Sequence, residues 1–285
     1  MSGIDPALRI RSVTLGVSDL DRSAAFYVQA LGLSLISREN GTAVLGAGSS
    51  LPALVLSRIE DPTPLPPGAS GLFHVAWLHP SRAALADTVR RVAGTRWPLE
   101  GASDHGVSEA IYLSDPDGLG IEIYVDRPAE LWARTPTGGV EIVTLPLDLE
   151  DLLAQSSGEP PDAIAPGTGV GHVHLKVADV GRATGFYDRD LGFEEQARLP
   201  SASFLGAGGY HHHIGLNSWQ SMGAPRAPDT APGLHEVLFE LSDERALQEL
   251  ERRLDERGDE PHERDGRVLV VDPDGQTLAF AAPGF

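Results

Sequence analysis

Residues 13–33 read VTLGVSDLDRSAAFYVQALGL, and residues 173–193 read VHLKVADVGRATGFYDRDLGF. At a constant offset of 160, Val13, Leu15, Val17, Asp19, Arg22, Phe26, Tyr27, Leu31 and Gly32 recur unchanged. The same offset superimposes LGAG at 45–48 on LGAG at 205–208. A fainter pair accompanies it: GLFHVAW at 71–77 resembles GLHEVLF at 233–239, and the DPDG at 115–118 returns at 272–275. Such repeats decide the fold before any single element does, because each copy must build the same supersecondary unit. The chain therefore reads as four units in two tandem pairs.

Each unit has one coarse plan. It opens on a short alternating strand that puts Val13, Leu15 and Val17 on one face. A polar turn follows, in which Ser18, Asp19 or Asp21 could cap a helix. Phe26, Tyr27 and Leu31 have helical spacing, and Gly32 stands where a C-cap glycine would end the helix. Short strands then alternate with glycine-rich and DPDG turns. The plan is βαβββ four times over, an α+β fold. The first pair of units is expected over 8–126 and the second over 169–285. Between them, 127–168 is a linker rich in proline, glycine and acids, with a short helix around Leu147–Leu153.

Composition narrows the chemistry. Of 285 residues, 41% are hydrophobic and 22% charged, which is the balance of a globular chain. Cysteine is absent, which excludes disulfides, thiolate metal sites, iron–sulfur clusters and a cysteine nucleophile. With 22 basic against 41 acidic residues the net charge is −19, so neither nucleic acid nor an anionic membrane surface is an expected partner. The opening MSGIDPALRIRS lacks a basic segment followed by an apolar run. No apolar stretch reaches the roughly 18 residues of a membrane span. The expectation is a soluble, cytoplasmic protein. Ten histidines are the plentiful nitrogen ligands, so any metal site would be built from histidine, carboxylate and water.

At this point the residues resemble a known superfamily, the vicinal oxygen chelate proteins, also called the glyoxalase/extradiol dioxygenase fold. The carrying features are V-x-L-x-V-x-D-x-x-R-x-x-x-F-Y-x-x-x-L-G at 13–32 and 173–192, and DPDG-x-x-x-E at 115–122. VSEAIYLSDPDGLGIEIYVDRP, GHVHLKV and AGGYHHHIGLNSW are similar to the bacterial catechol-2,3-dioxygenase branch. The resemblance covers nearly the whole chain outside the linker. It implies paired βαβββ units forming cup-shaped mixed sheets around a divalent metal. It also implies an extradiol ring-cleaving dioxygenase that uses Fe(II), with Mn(II) as a substitute, to insert O₂ into a small catechol-type aromatic diol. A homo-oligomer is compatible with it. The alternatives within the same fold are a glyoxalase-like isomerase or transferase and a non-catalytic binding or resistance protein.

A non-haem iron oxygenase of this kind needs two histidines and one carboxylate on one face of the metal. On the first strand of unit 3, Val173, Leu175 and Val177 form the apolar side, so His172, His174 and Lys176 point the other way. In unit 2, Phe73, Val75 and Trp77 are expected toward the helix and His74 into the cup. Glu122 and Tyr124 alternate with Ile121, Ile123 and Val125, and a glutamate between isoleucines is costly to bury without a partner. The repeat matches His172 to Ser12, His74 to Glu236 and Glu122 to Ala279, so neither half alone assembles the triad. Pairing units 2 and 3 gathers His74, Glu122 and His172, as in hydroquinone-cleaving relatives that pair their inner units. The prediction is one metal site built across the halves and a second, metal-free cup from units 1 and 4.

The run Tyr210-His211-His212-His213 has Ser50-Leu51-Pro52-Ala53 as its counterpart in unit 1, so the histidines belong to the metal-bearing side. The resemblance places an acid–base histidine here. His212 fits it, and His213 is the alternative, because a slip of one residue swaps the face. Tyr112, ten residues before Glu122, matches a tyrosine that hydrogen-bonds the substrate hydroxyl. His105, His174 and His213 are further substrate-side candidates. His79, His235 and His262 read as surface or turn residues, the DPDG sequences as turn chemistry, and Asp243–Arg257 as a solvated helix over the unit 4 sheet.

Overall fold

The computed structural model describes residues 3–136, 138–159, 161–258 and 261–284. Unit 1 comprises β1 (Arg9–Val17), α1 (Leu20–Phe26), β2 (Ser34–Glu39), β3 (Thr42–Gly46) and β4 (Pro52–Arg58). Unit 2 comprises β5 (Gly71–Leu78), α2 (Arg82–Gly94), β6 (Gly101–Asp104), β7 (Ser108–Ser114) and β8 (Gly120–Asp126). The linker carries a short helix, α3 (Leu149–Ala154). Unit 3 is β9 (Gly169–Lys176), α4 (Val180–Gly185), β10 (Glu194–Leu199), β11 (Ala202–Gly206) and β12 (Ile214–Asn217). Unit 4 is β13 (Gly233–Glu240), α5 (Glu244–Arg257), β14 (His262–Arg264), β15 (Arg267–Val271) and β16 (Thr277–Ala281). The βαβββ plan holds in all four. Asp19 is the cap of α1, accepting from the backbone N–H groups of Asp21 and Arg22.

The strands form two eight-stranded sheets. One has the order β14-β15-β16-β13-β1-β4-β3-β2 and joins units 4 and 1; the other, β10-β11-β12-β9-β5-β8-β7-β6, joins units 3 and 2. Each sheet is closed at its centre by an antiparallel pair of first strands, β1 with β13 and β5 with β9. Sheets thus run across the tandem halves, and the apolar strand faces of all four units meet in one buried core with Val13, Val75, Val173 and Val237.

What holds each tandem half together explains the repeated motif. After α1 the chain makes a π-helical turn, Tyr27–Leu31, ended by Gly32 at φ 79°. Tyr27 donates its hydroxyl to Asp115 Oδ2 of the unit 2 DPDG turn at 3.2 Å, and Arg22 pairs with Asp117 of the same turn. The copy in the second half is the same clamp: Tyr187 reaches Asp272 at 3.0 Å and Arg182 reaches Asp274 at 3.1 Å. The recurring Arg, Tyr and DPDG are therefore a polar latch between consecutive units, buried at the tyrosine and half-exposed at the arginine. Burial raises Asp115 and Asp272 to about 6, against the backbone N–H groups that favour the ionised form.

Candidate metal centre

His74 lies on β5, Glu122 on β8 and His172 on β9, three neighbouring strands of the inner sheet. The register puts Ala76 beside Glu122 on one side and His172 on the other. Its methyl leaves the space between them open, and His74 closes that space from two residues away. The ligand atoms of the three side chains lie within 4.8 Å of one another, and all three residues are buried. His74 Nε2 is 2.9 Å from Glu122 Oε2 and His172 Nε2 is 3.3 Å from the same oxygen. His74 Nε2 nevertheless makes no hydrogen bond. A buried nitrogen left so costs about 1–3 kcal/mol, and a cation at the convergence of the three would take a lone pair from each. The residues present fit a divalent metal. Burial works against the ionised Glu122, yet the facing His172 and His74 hold its carboxyl well below its usual value. Burial lowers His172 to about 4, only partly offset by Glu122. Neutral imidazole beside carboxylate is the state that ligates.

One expectation from strand alternation fails. The β5–β9 pairing shifts register between Leu72 and His74. Leu72, Val75 and Trp77 enter the core, while Phe73 turns with His74 toward the cup. A β-bulge redirects side chains in this way. Gly120 permits it, because a Cβ there would stand 2.1 Å from the Phe73 carbonyl oxygen.

The three donors lie at the floor of a cavity of about 320 Å³. Tyr112, His105, His174 and His212 line it, with Phe73, Phe204 and Trp219 as aromatic walls. His105 Nδ1 is 2.7 Å from the Val143 carbonyl, so Nδ1 donates. Nε2 is 2.6 Å from the Tyr112 hydroxyl, which also neighbours the Glu122 carboxylate. Burial, then the Glu122 charge, pushes the Tyr112 phenol up. His174 faces His74 across the β9–β5 pair, and burial holds its imidazole well below its usual value. Its ring lies over Gly215, where a Cβ would come within 2.8 Å of it. His212 and His213 separate cleanly. His212 lines the cavity, 4.1 Å from the His172 ring. His213 does not; its Nδ1 accepts from the Ala207 N–H at 3.2 Å.

Other residues escaped the sequence reading. Ile142 and Thr144 line the cavity from the linker, which pairs with β6 through the Asp104–Leu145 bridge. No strand periodicity marked them. His79, expected at the surface, is 1% exposed and bonded to Trp77 O and Thr88 Oγ1. His235 is half-buried, and His262 is exposed as expected. Among the described residues, no helix is long and apolar enough to cross a membrane.

Residues 9–123 and 169–280 match the model of the Glyoxalase/Bleomycin resistance protein/Dioxygenase superfamily. The chain belongs to this superfamily. Among curated proteins it is 36% identical over 276 residues, 96% of either chain, to a catechol-2,3-dioxygenase of Bacillus subtilis (strain 168). Among solved structures, a putative dioxygenase from Bacillus subtilis superimposes with a TM-score of 0.68 at 16% identity, covering 100% of this chain and 87% of that one. Glyoxalase I from Zea mays gives 0.60 at 17% identity, covering 97% and 92%. At such identities the superpositions establish the superfamily fold.

Proposed function

We propose that this protein is an extradiol dioxygenase that cleaves a catechol-type aromatic ring, with His74, Glu122 and His172 holding Fe(II). The observation that carries the reading is the buried His-Glu-His convergence at the base of an aromatic-walled cavity, in a chain 36% identical to a catechol-2,3-dioxygenase. When bound, Fe(II), or Mn(II) on the same nitrogen and oxygen donors, would acidify a chelated diol and supply the redox centre for O₂. The protein's own groups then have distinct tasks. Tyr112, held by His105 at 2.6 Å, hydrogen-bonds a substrate hydroxyl. His212 takes a hydroxyl proton and returns it later. His174 borders the same space, and Phe73 and Trp219, 5.4 Å apart, hold an aromatic ring at the mouth. His213, whose Nδ1 accepts from the Ala207 N–H, anchors the histidine run just before β12. Glu122 is the single carboxylate in the lining, whereas a glyoxalase-like isomerase would want a second.

Oxygen uptake tests the reading. The chain is loaded with Fe(II) anaerobically and mixed with catechol in aerated buffer. Stoichiometric O₂ consumption with a yellow ring-fission product is expected. Metal binding without O₂ consumption across a panel of catechols and hydroquinones would overturn it.

A further inference from the structure

The histidine run holds more than one functional nitrogen. His211 is fully buried, its ring 4.2 Å from the Tyr210 ring and 5.3 Å from that of Trp132. Its Nε2 is 2.8 Å from Asp126 Oδ1, and its Nδ1 is 2.7 Å from His212 Nδ1. Tyr210 donates its hydroxyl to the other carboxylate oxygen, Oδ2, at 2.9 Å, and Tyr124 lies 2.8 Å behind it. Asp126 ends β8, four residues beyond Glu122, so the strand that carries the donor carboxylate also carries this second one.

The proton positions follow from donor and acceptor counting. A carboxylate only accepts, so His211 Nε2 carries a proton. If His211 carries that proton alone, its Nδ1 is an acceptor. His212 Nδ1 must then be the donor in the 2.7 Å contact. The nitrogen left over is His212 Nε2, without a proton, on the one residue of the three that lines the cavity.

We propose that Asp126 and His211 are positioning residues that fix His212 in the tautomer whose bare Nε2 serves the cavity as a base. This rests on the dioxygenase reading for the use of that nitrogen, whereas the tautomer rests on the contact distances with a neutral His211 as its premise. The chain exists on the inner side only. The unit 1 counterparts of His211 and His212 are Leu51 and Pro52, and that of Asp126 in unit 4 is Pro283. In an Asp126→Asn chain, the Tyr210 hydroxyl keeps the amide oxygen, and the amide N–H₂ faces His211 Nε2. Each imidazole then reverses, and His212 presents Nε2–H.

Two-bond ¹H–¹⁵N spectra of the full chain, ¹⁵N-labelled at histidine and kept free of iron, read the tautomers directly. The His212 signals are assigned by their loss in H212N. The expected result is Nδ1–H on His212 and Nε2–H on His211, both reversed in D126N and both retained in Y210F. A proton on His212 Nε2 in the wild type overturns the assignment, as it would if His211 were charged and donating. So does an unchanged His212 in folded D126N, or a reversal in Y210F. If D126N does not fold, the wild-type spectrum still decides. With Fe(II), kcat of D126N should fall about a hundredfold while KM for catechol stays nearly constant. Correct tautomers without O₂ uptake would leave this assignment standing and remove the function. O₂ uptake with the opposite tautomer would do the reverse.

Discussion

Across the β5–β9 pair of the inner sheet, His74 faces His174 and Ala76 faces His172. Across the β13–β1 pair of the outer sheet, Glu236 faces Thr14 and Leu238 faces Ser12 at the equivalent positions. The register is the same and the chemistry is not. In the outer sheet Ala279 replaces Glu122, and Arg267 stands where the inner sheet has Ala110. Arg267 donates to Glu236 at 2.8 Å, so the one acid at a donor position already has its cation. The inner cavity has Glu122, five histidines, and no lysine or arginine in its lining. The fold supplies two matching floors, and side chains decide which one is left short of a positive charge.

Metal content breaks or confirms this contrast most directly. One metal per chain is expected after loading. Glu122→Ala should reduce it to a trace, whereas Glu236→Ala in the outer sheet should leave it at one. Elemental analysis of the three desalted proteins decides, and two metals in the wild type or one in E122A would refute the contrast.

The next effect concerns turnover alone. His212→Ala should keep the metal and lower kcat by about 10²–10⁴, the range of a lost general acid–base group. Pro52 occupies the outer counterpart, so the loss converts one feature of the inner cup to the outer kind. Steady-state O₂ uptake measures it, and a variant with full kcat would remove His212 from the reaction.

These two predictions rest on residues that were legible in the sequence, for a physical reason. His74, Glu122 and His172 interrupt apolar strand patterns that the repeat supplies independently, so each stands out against its own copy. Phe73 was misplaced because a bulge is set by the partner strand, here by the close approach of Gly120. The Asp126–His211 contact joins residues 85 apart, and only the packed β8 and the histidine run create it. Ile142 and Thr144 lie in a segment without period, which the sequence reads as a tether and the fold uses as a wall.

A buried histidine outside the site sharpens the contrast through stability. His79 extends β5, and its outer counterpart after β13 is Leu241. Burial lowers His79 to about 4. An unfolded chain binds its proton near pH 6.5 and the folded chain does not, so stability present above that value is lost as pH falls toward 4. The shift corresponds to about 3 kcal/mol. In His79→Leu that loss disappears, although Thr88 forfeits its partner at neutral pH. Urea titrations from about pH 7 to about pH 4.5 should therefore show the variant gaining about 2 kcal/mol on the wild type. Parallel pH profiles would mean that His79 titrates normally.

The smallest expected effect tests the missing cation from the substrate's side. A catechol bearing a carboxylate would bring an anion into a cavity whose lining offers it no arginine or lysine and one glutamate. Unpaired burial of that charge is unfavourable, and even a penalty of about 1.4 kcal/mol is tenfold in affinity. Unsubstituted and methyl-substituted catechols should accordingly surpass carboxylated ones by at least about tenfold in kcat/KM. The outer sheet indicates the remedy, because there an arginine rising from the third strand of its unit neutralises an acid. Thr144→Lys, which places a cation on the cavity wall away from the three donors, should narrow the difference by lowering KM for the carboxylated substrate. Equal kcat/KM for both classes in the wild type would mean that the charge stays in solvent at the mouth beside Trp219, and that the lack of a lysine or arginine in the lining does not govern which ring enters.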